Sequence, residues 1–152
     1  MNRLKNTPDP TLGDKPLVLN ANEVFVFGAN SLGIHAGGSA FAAQKFYGAI
    51  LKEIHRTGRS YGLVTIKFTK EDDFAPERIS QKELEEEFEL FIKQTELENE
   101  KTFYLTKVGL GISGWDINDV VSAFKKCYNQ KLHLNIVIPI EFEKCLISFN
   151  HK

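Results

Sequence analysis

Short unbroken apolar runs alternate along the chain with longer stretches in which apolar residues recur every three or four positions. Val24-Phe25-Val26-Phe27 is a run of β-forming apolar residues, the pattern of a strand covered on both faces. Residues 61–66 and 102–106 read as two more strands, and 135–140 as a last one, with Pro139 placing it near an edge or at its end. Pro16-Leu17-Val18-Leu19 allows a short edge strand. A small-residue helix is expected over 39–48, where Ala40, Ala42 and Ala43 permit close packing on a sheet.

Ser80 and Glu83 form a capping box, each able to satisfy the other's free backbone N–H, and Leu84, Phe88, Phe91 and Ile92 then share one helical face up to about Leu97. The Glu85-Glu86-Glu87 run on this helix reads as its solvated surface. Asp116 is a good N-cap for a helix carrying Ile117, Val120, Val121, Phe124 and Tyr128 on one side. Residues 67–79 are polar and read as a loop, and the tail from Glu141 has apolar residues to pack but no clear type. The order strand, helix, strand, helix, strand, helix, strand implies a mixed or parallel sheet with helices on its faces.

Composition narrows the class. The 152 residues suit one domain, expected over 17–152 behind a flexible, proline-bearing arm at 1–16. A formal charge of −1 gives no support for direct nucleic-acid binding by bulk charge. Cys127 and Cys145 lack metal or redox spacing, and no stretch is long and apolar enough for a membrane span or a signal segment. The expectation is a cytoplasmic protein that needs neither metal nor cofactor. His55, His133 and His151 look incidental.

Two glycine-rich segments carry the chemistry. Each follows a strand and leads into a helix, the place where α/β sheets collect ligands. The first holds Gly28, Asn30, Ser31, Gly33, His35, Gly37 and Gly38; the second holds Gly109, Gly111, Ile112, Ser113, Gly114 and Trp115. Glycine lets the backbone approach a phosphate, and the following helix offers free N–H groups and partial positive charge. Gly28 and Gly33 have P-loop spacing, but Ile34-His35 stands where Lys-Ser/Thr is required, which disfavours nucleoside triphosphate hydrolysis. Gly109-x-Gly111-x-x-Gly114 matches the dinucleotide fingerprint, with Glu141 after the next strand as a ribose ligand. A Rossmann-type NAD(P) enzyme is therefore one alternative. Another is a non-catalytic interaction module in which the glycines serve turns alone.

Together the motifs resemble the macro domain, the ADP-ribose-binding fold, and more closely a small group of macro-like proteins from bacteria and phages. The residues that carry the resemblance are Val26-Phe27-Gly28-Ala29-Asn30, Gly33-Ile34-His35 with Gly37-Gly38-Ser39-Ala40, Gly58-Arg59-Ser60-Tyr61-Gly62-Leu63-Val64-Thr65, and Gly109 to Trp115. They span roughly residues 22–142. The resemblance implies a three-layer α/β/α fold with a mixed, mostly parallel sheet. It implies that Gly111 to Trp115 bind a diphosphate with the aromatic beside the distal ribose, and that the first segment surrounds that ribose. The implied ligand is ADP-ribose, a related nucleotide or an ADP-ribosylated macromolecule. An ADP-ribosyl hydrolase would use Asn30 and His35. The chain departs from catalytic members in having no Asp or Glu between Val24 and Lys52.

Overall fold

In the computed structural model, which describes residues 19–34, 38–68, 77–111 and 113–150, strand β1 (Glu23–Asn30) lies in the middle of the sheet. Helix α1 (Gly38–Phe46) follows it. A hairpin of β2 (His55–Thr57) and β3 (Ser60–Lys67) comes next, then the short β4 (Glu77–Arg78) and α2 (Gln81–Leu97). The chain continues through β5 (Thr102–Leu105), α3 (Ile117–Lys125), β6 (Ile136–Val137) and α4 (Ile140–Asn150). The strand order is β2-β3-β1-β5-β6, with β4 also paired to β3. β1, β3, β5 and β6 run parallel; β2 and β4 run antiparallel to β3. This is the mixed, mostly parallel sheet expected.

The apolar run of β1 is explained by two cores. Successive side chains of a strand point to opposite faces. Val24 and Val26 join one cluster with residues of α2, α3 and α4, while Phe25 and Phe27 join another with Ala43 and Tyr47 from the α1 side. The larger core is built from aromatic rings: Phe91 meets Tyr61 at 5.3 Å and Phe103 at 5.9 Å, both edge-on, and Phe88 meets Phe124 at 5.3 Å. Each fully buried ring stabilises the fold by roughly 1.5–3 kcal/mol. The layers are thus α1, the sheet, and the group of α2, α3 and α4.

Both helix-start expectations hold. Ser80 Oγ accepts from Glu83 N at 3.1 Å while Glu83 Oε1 accepts from Ser80 N at 2.9 Å. Asp116 Oδ1 accepts from Asn118 N at 2.8 Å.

Four readings need correction. The tail is not shapeless but forms α4. The last strand shrinks to Ile136–Val137, because Pro139 has no N–H for a ladder and its carbonyl instead accepts from Phe142 and Glu143 to start α4. The polar stretch before α2, read as a loop, contains β4. Glu87 is not plain helix surface: its Oε1 accepts from Val64 N at 2.8 Å, and His55 Nε2 lies 3.1 Å away. Residues 17 and 18 of the suggested edge strand lie outside the described residues, as does the arm. No described helix is long and apolar enough to cross a membrane.

Candidate functional site

The two glycine-rich segments leave the carboxyl ends of adjacent parallel strands, β1 and β5. In the first, Asn30 organises the turn. Its Oδ1 accepts from Leu32 N and Ile34 N, both at 3.1 Å, and its Nδ2 donates to Ile34 O at 2.8 Å. Ser31 N donates to Ile66 O at 3.0 Å, and Ser31 Oγ accepts from Phe68 N at 3.0 Å, tying the turn to the end of β3. Gly33 is buried with φ +69, and a Cβ there would lie 2.6 Å from Glu53 N. Only glycine fits that approach.

The second segment folds back over the sheet. Trp115 N donates to Gly109 O at 2.8 Å and Gly114 N to Gly111 O at 3.0 Å, which closes the loop on itself. The Trp115 ring is 8% exposed, and its Nε1 donates to Thr65 O at 2.9 Å. The Ser113 and Thr65 hydroxyls lie 2.9 Å apart. Because β1 lies between β5 and β3 in the sheet, these two bonds carry the loop from β5 across the end of β1. Gly28 permits the crossing: a Cβ there would lie 3.3 Å from Gly109 N. Within the described residues, the Gly111 and Ser113 amides donate to no acceptor, and a Cβ on Gly111 would meet nothing within 4 Å. Among the described residues, then, Gly111 and Ser113 keep backbone N–H groups without an acceptor, the kind of donor that binds an anion.

Charges gather around this end of the sheet. Lys67 lies 3.4 Å from Glu83 and Lys107 lies 3.2 Å from Glu141. Burial alone would raise the Glu141 pKa. Its own backbone amide, the hydrogen bond from Lys107 and the charges of Lys107 and Lys144 outweigh that, and the pKa falls. Arg78 stacks on Trp115, with its guanidinium carbon 5.2 Å from the ring centroid, and its Nη1 donates to Gly114 O at 3.3 Å. Among the described residues no group of three or more His, Cys, Asp or Glu is placed to hold a metal.

The dinucleotide alternative loses its geometry here. In that fingerprint the third glycine packs inside the helix. Gly114 instead precedes the N-cap Asp116, and α3 starts at Ile117. Glu141 sits in the first turn of α4, held by Lys107, rather than at the end of a strand.

No protein-family model and no curated protein matches the sequence. A search of solved structures does find a match: the Oceanobacillus iheyensis macrodomain mutant D40A superposes with a TM-score of 0.61 over 99% of this chain and 96% of that one, at 13% identity. The fold is that of a macrodomain. On this macrodomain frame the structure brings Gly28, Asn30, Ser31, Gly33, Gly109, Gly111, Ser113, Gly114 and Trp115 to one end of the sheet, and Gly38 opens α1. His35, Gly37 and Ile112 lie outside the described residues. Asn30 spends its amide on its own turn, and Trp115 spends its indole N–H on β3.

Sequence reasoning gave no role to Thr65 or Arg78. Thr65 is 1% exposed, and its carbonyl accepts from both Trp115 Nε1 and Ile79 N. Its signal was present as the hydroxyl closing the Gly58–Thr65 motif. Arg78 had no local signal, since its site depends on β4 pairing with β3. His55 and His133 are not idle: His133 is 4% exposed, takes a hydrogen bond from Asn129 N at 2.9 Å and meets Glu96 at 3.1 Å.

Proposed function

We propose that this chain binds ADP-ribose or a closely related nucleotide diphosphate at the carboxyl end of the sheet, where the β1–α1 and β5–α3 segments leave adjacent strands. The observation that supports this most is the crossing of the β5–α3 loop over Gly28, which leaves the Gly111 and Ser113 amides without acceptors among the described residues at the carboxyl end of the sheet. A diphosphate would take those N–H groups, where charge-assisted bonds are about twice as strong as neutral ones. The macrodomain fold and the glycine motifs favour the same ligand class.

The reading is of a binder first. Hydrolysis of an ADP-ribosyl bond would need an activated water, yet the segment 24–52 holds no acid and the Asn30 amide is engaged at both ends. Calorimetry against ADP-ribose, ADP, NAD and AMP tests the proposal. Saturable heat with ADP-ribose, weaker with AMP, is expected; no heat and no thermal shift with any of the four would end it. Release of free ADP-ribose from a modified protein would add the hydrolase activity to the binding.

A further inference from the structure

Of the cations around the candidate site, Lys67 and Lys107 each have a carboxylate partner, at 3.4 Å and 3.2 Å. Arg78 has none within 4.0 Å among the described residues. It nonetheless has fixed neighbours: its guanidinium carbon lies over the Trp115 ring, 5.2 Å from the centroid, and its Nη1 donates to Gly114 O at 3.3 Å. A guanidinium has five N–H donors in a rigid fork, so this anchoring uses one and leaves the others available. Arg78 lines a cavity of about 500 Å³ together with Glu77, Ile79, Ser80, Gln81, Trp115 and Asp119. Ser113, whose amide has no acceptor among the described residues, directly precedes Gly114 in the chain. The Arg78–Gly114 bond sets the guanidinium against the β5–α3 loop one residue from Ser113.

We propose that Arg78 is a ligand-contact residue that selects for the anionic part of the nucleotide, offering a two-pronged hydrogen bond to a phosphate also held by the β5–α3 loop. Trp115 is the plate that fixes the direction of the fork. Glu77 and Asp119 share the cavity wall without pairing to Arg78, and they oppose the anion, so the two signs set the selectivity together. This inference rests on the site proposed above but adds a residue and a discrimination: phosphorylated ligands are taken and neutral nucleosides refused.

Trp115 is the single tryptophan of the chain, so its fluorescence reports events at Arg78. The experiment titrates inorganic pyrophosphate, ADP-ribose and adenosine into the full chain and into Arg78→Gln, Arg78→Lys and Asp119→Asn, with melting temperature as the fold control. The expected result is a tenfold or greater loss of pyrophosphate and ADP-ribose affinity in Arg78→Gln at near-normal melting temperature. Arg78→Lys should recover only part of it, because it restores charge without the fork, and Asp119→Asn should bind a few-fold tighter. Equal affinity of wild type and Arg78→Gln for ADP-ribose overturns the role of Arg78 and leaves the nucleotide reading standing. Pyrophosphate binding that needs Arg78, with no binding of any nucleotide, does the reverse. No response of the wild type to either phosphate ligand overturns both.

Discussion

The indole N–H of Trp115 donates to the carbonyl oxygen of Thr65 at 2.9 Å, across fifty positions of sequence. The bond joins the end of the β5–α3 loop to a strand two places away in the sheet, and β1 ends beneath the span. Beside it the hydroxyls of Thr65 and Ser113 make a second tie at 2.9 Å. Thr65 is in this way the post on which the loop rests.

Removing either tie should loosen the loop without dissolving the core. Trp115→Phe deletes the indole donor, but Ile79 N still serves the Thr65 carbonyl, so no acceptor is orphaned. The expected destabilisation is about 1–3 kcal/mol, from the lost bond and the smaller ring. Thr65→Val keeps the shape and loses the hydroxyl, for about 1 kcal/mol. Denaturant midpoints of Thr65→Val, Ser113→Ala and the double variant should give a coupling of at least about 0.5 kcal/mol. Strict additivity would mean that the two hydroxyls do not act on each other.

The acid limb of stability should carry the mark of Glu98. Its carboxylate accepts from Arg56 Nε at 2.8 Å and Gln94 Nε2 at 2.7 Å. Burial raises its pKa, but the hydrogen bonds from Arg56 and Gln94 and the charges of Arg56 and Lys101 win, and the pKa falls below its ordinary 4.5. A depressed carboxylate stabilises the folded chain above the unfolded pKa, and this contribution disappears as pH falls through the folded value. Glu98→Gln should therefore be less stable than wild type near neutrality, with the gap closing below 4.5. Urea midpoints measured down the acid range check this. A gap that stays constant would show that Glu98 is not ion-paired in solution.

Asn30 offers a test of whether the first turn is prebuilt. Its three hydrogen bonds fix Leu32 and Ile34 in a half-buried turn. Asn30→Ala should cost about 1–3 kcal/mol locally, and the amides of Leu32 and Ile34 should exchange with solvent faster by about ten- to a hundredfold. If their exchange is unaltered, the Asn30 side chain is not the staple and is free to serve a ligand instead.

What could be read from the sequence follows from how local each signal is. The double-faced β1 run, the Ser80–Glu83 box and the Asp116 cap are decided by neighbours within four residues, and each stands in the structure. The glycine segments were legible because close backbone approach leaves few other choices of residue. What was missed depends on distant partners. α4 was obscured because Pro139 looks like the end of a strand when it starts a helix. Glu87 looked like surface until β3 presented it with the Val64 amide, and Arg78 had no meaning until β4 laid it beside Trp115. Long-range pairing, not propensity, placed these residues.

Two neighbouring glycines separate the demands of folding from those of binding. Gly109 has φ +79, and a Cβ on it would stand 3.0 Å from Trp115 Cδ1. Gly109→Ala meets both the left-handed backbone penalty and a ring that Thr65 holds in place, so a loss of about 1–3 kcal/mol is expected. Gly111 lies outside the left-handed region, and its Cβ position is open. Gly111→Ala should leave the unfolding free energy within about 0.5 kcal/mol of wild type, as surface substitutions do. A ligand phosphate seated on the loop tip would meet the new methyl, so ADP-ribose affinity should fall at least tenfold in that variant while the fold stays intact. Stability and calorimetry on the pair decide the matter: if Gly111→Ala binds as tightly as wild type, no ligand comes to that amide, and the open space at Gly111 is only the outside of a turn.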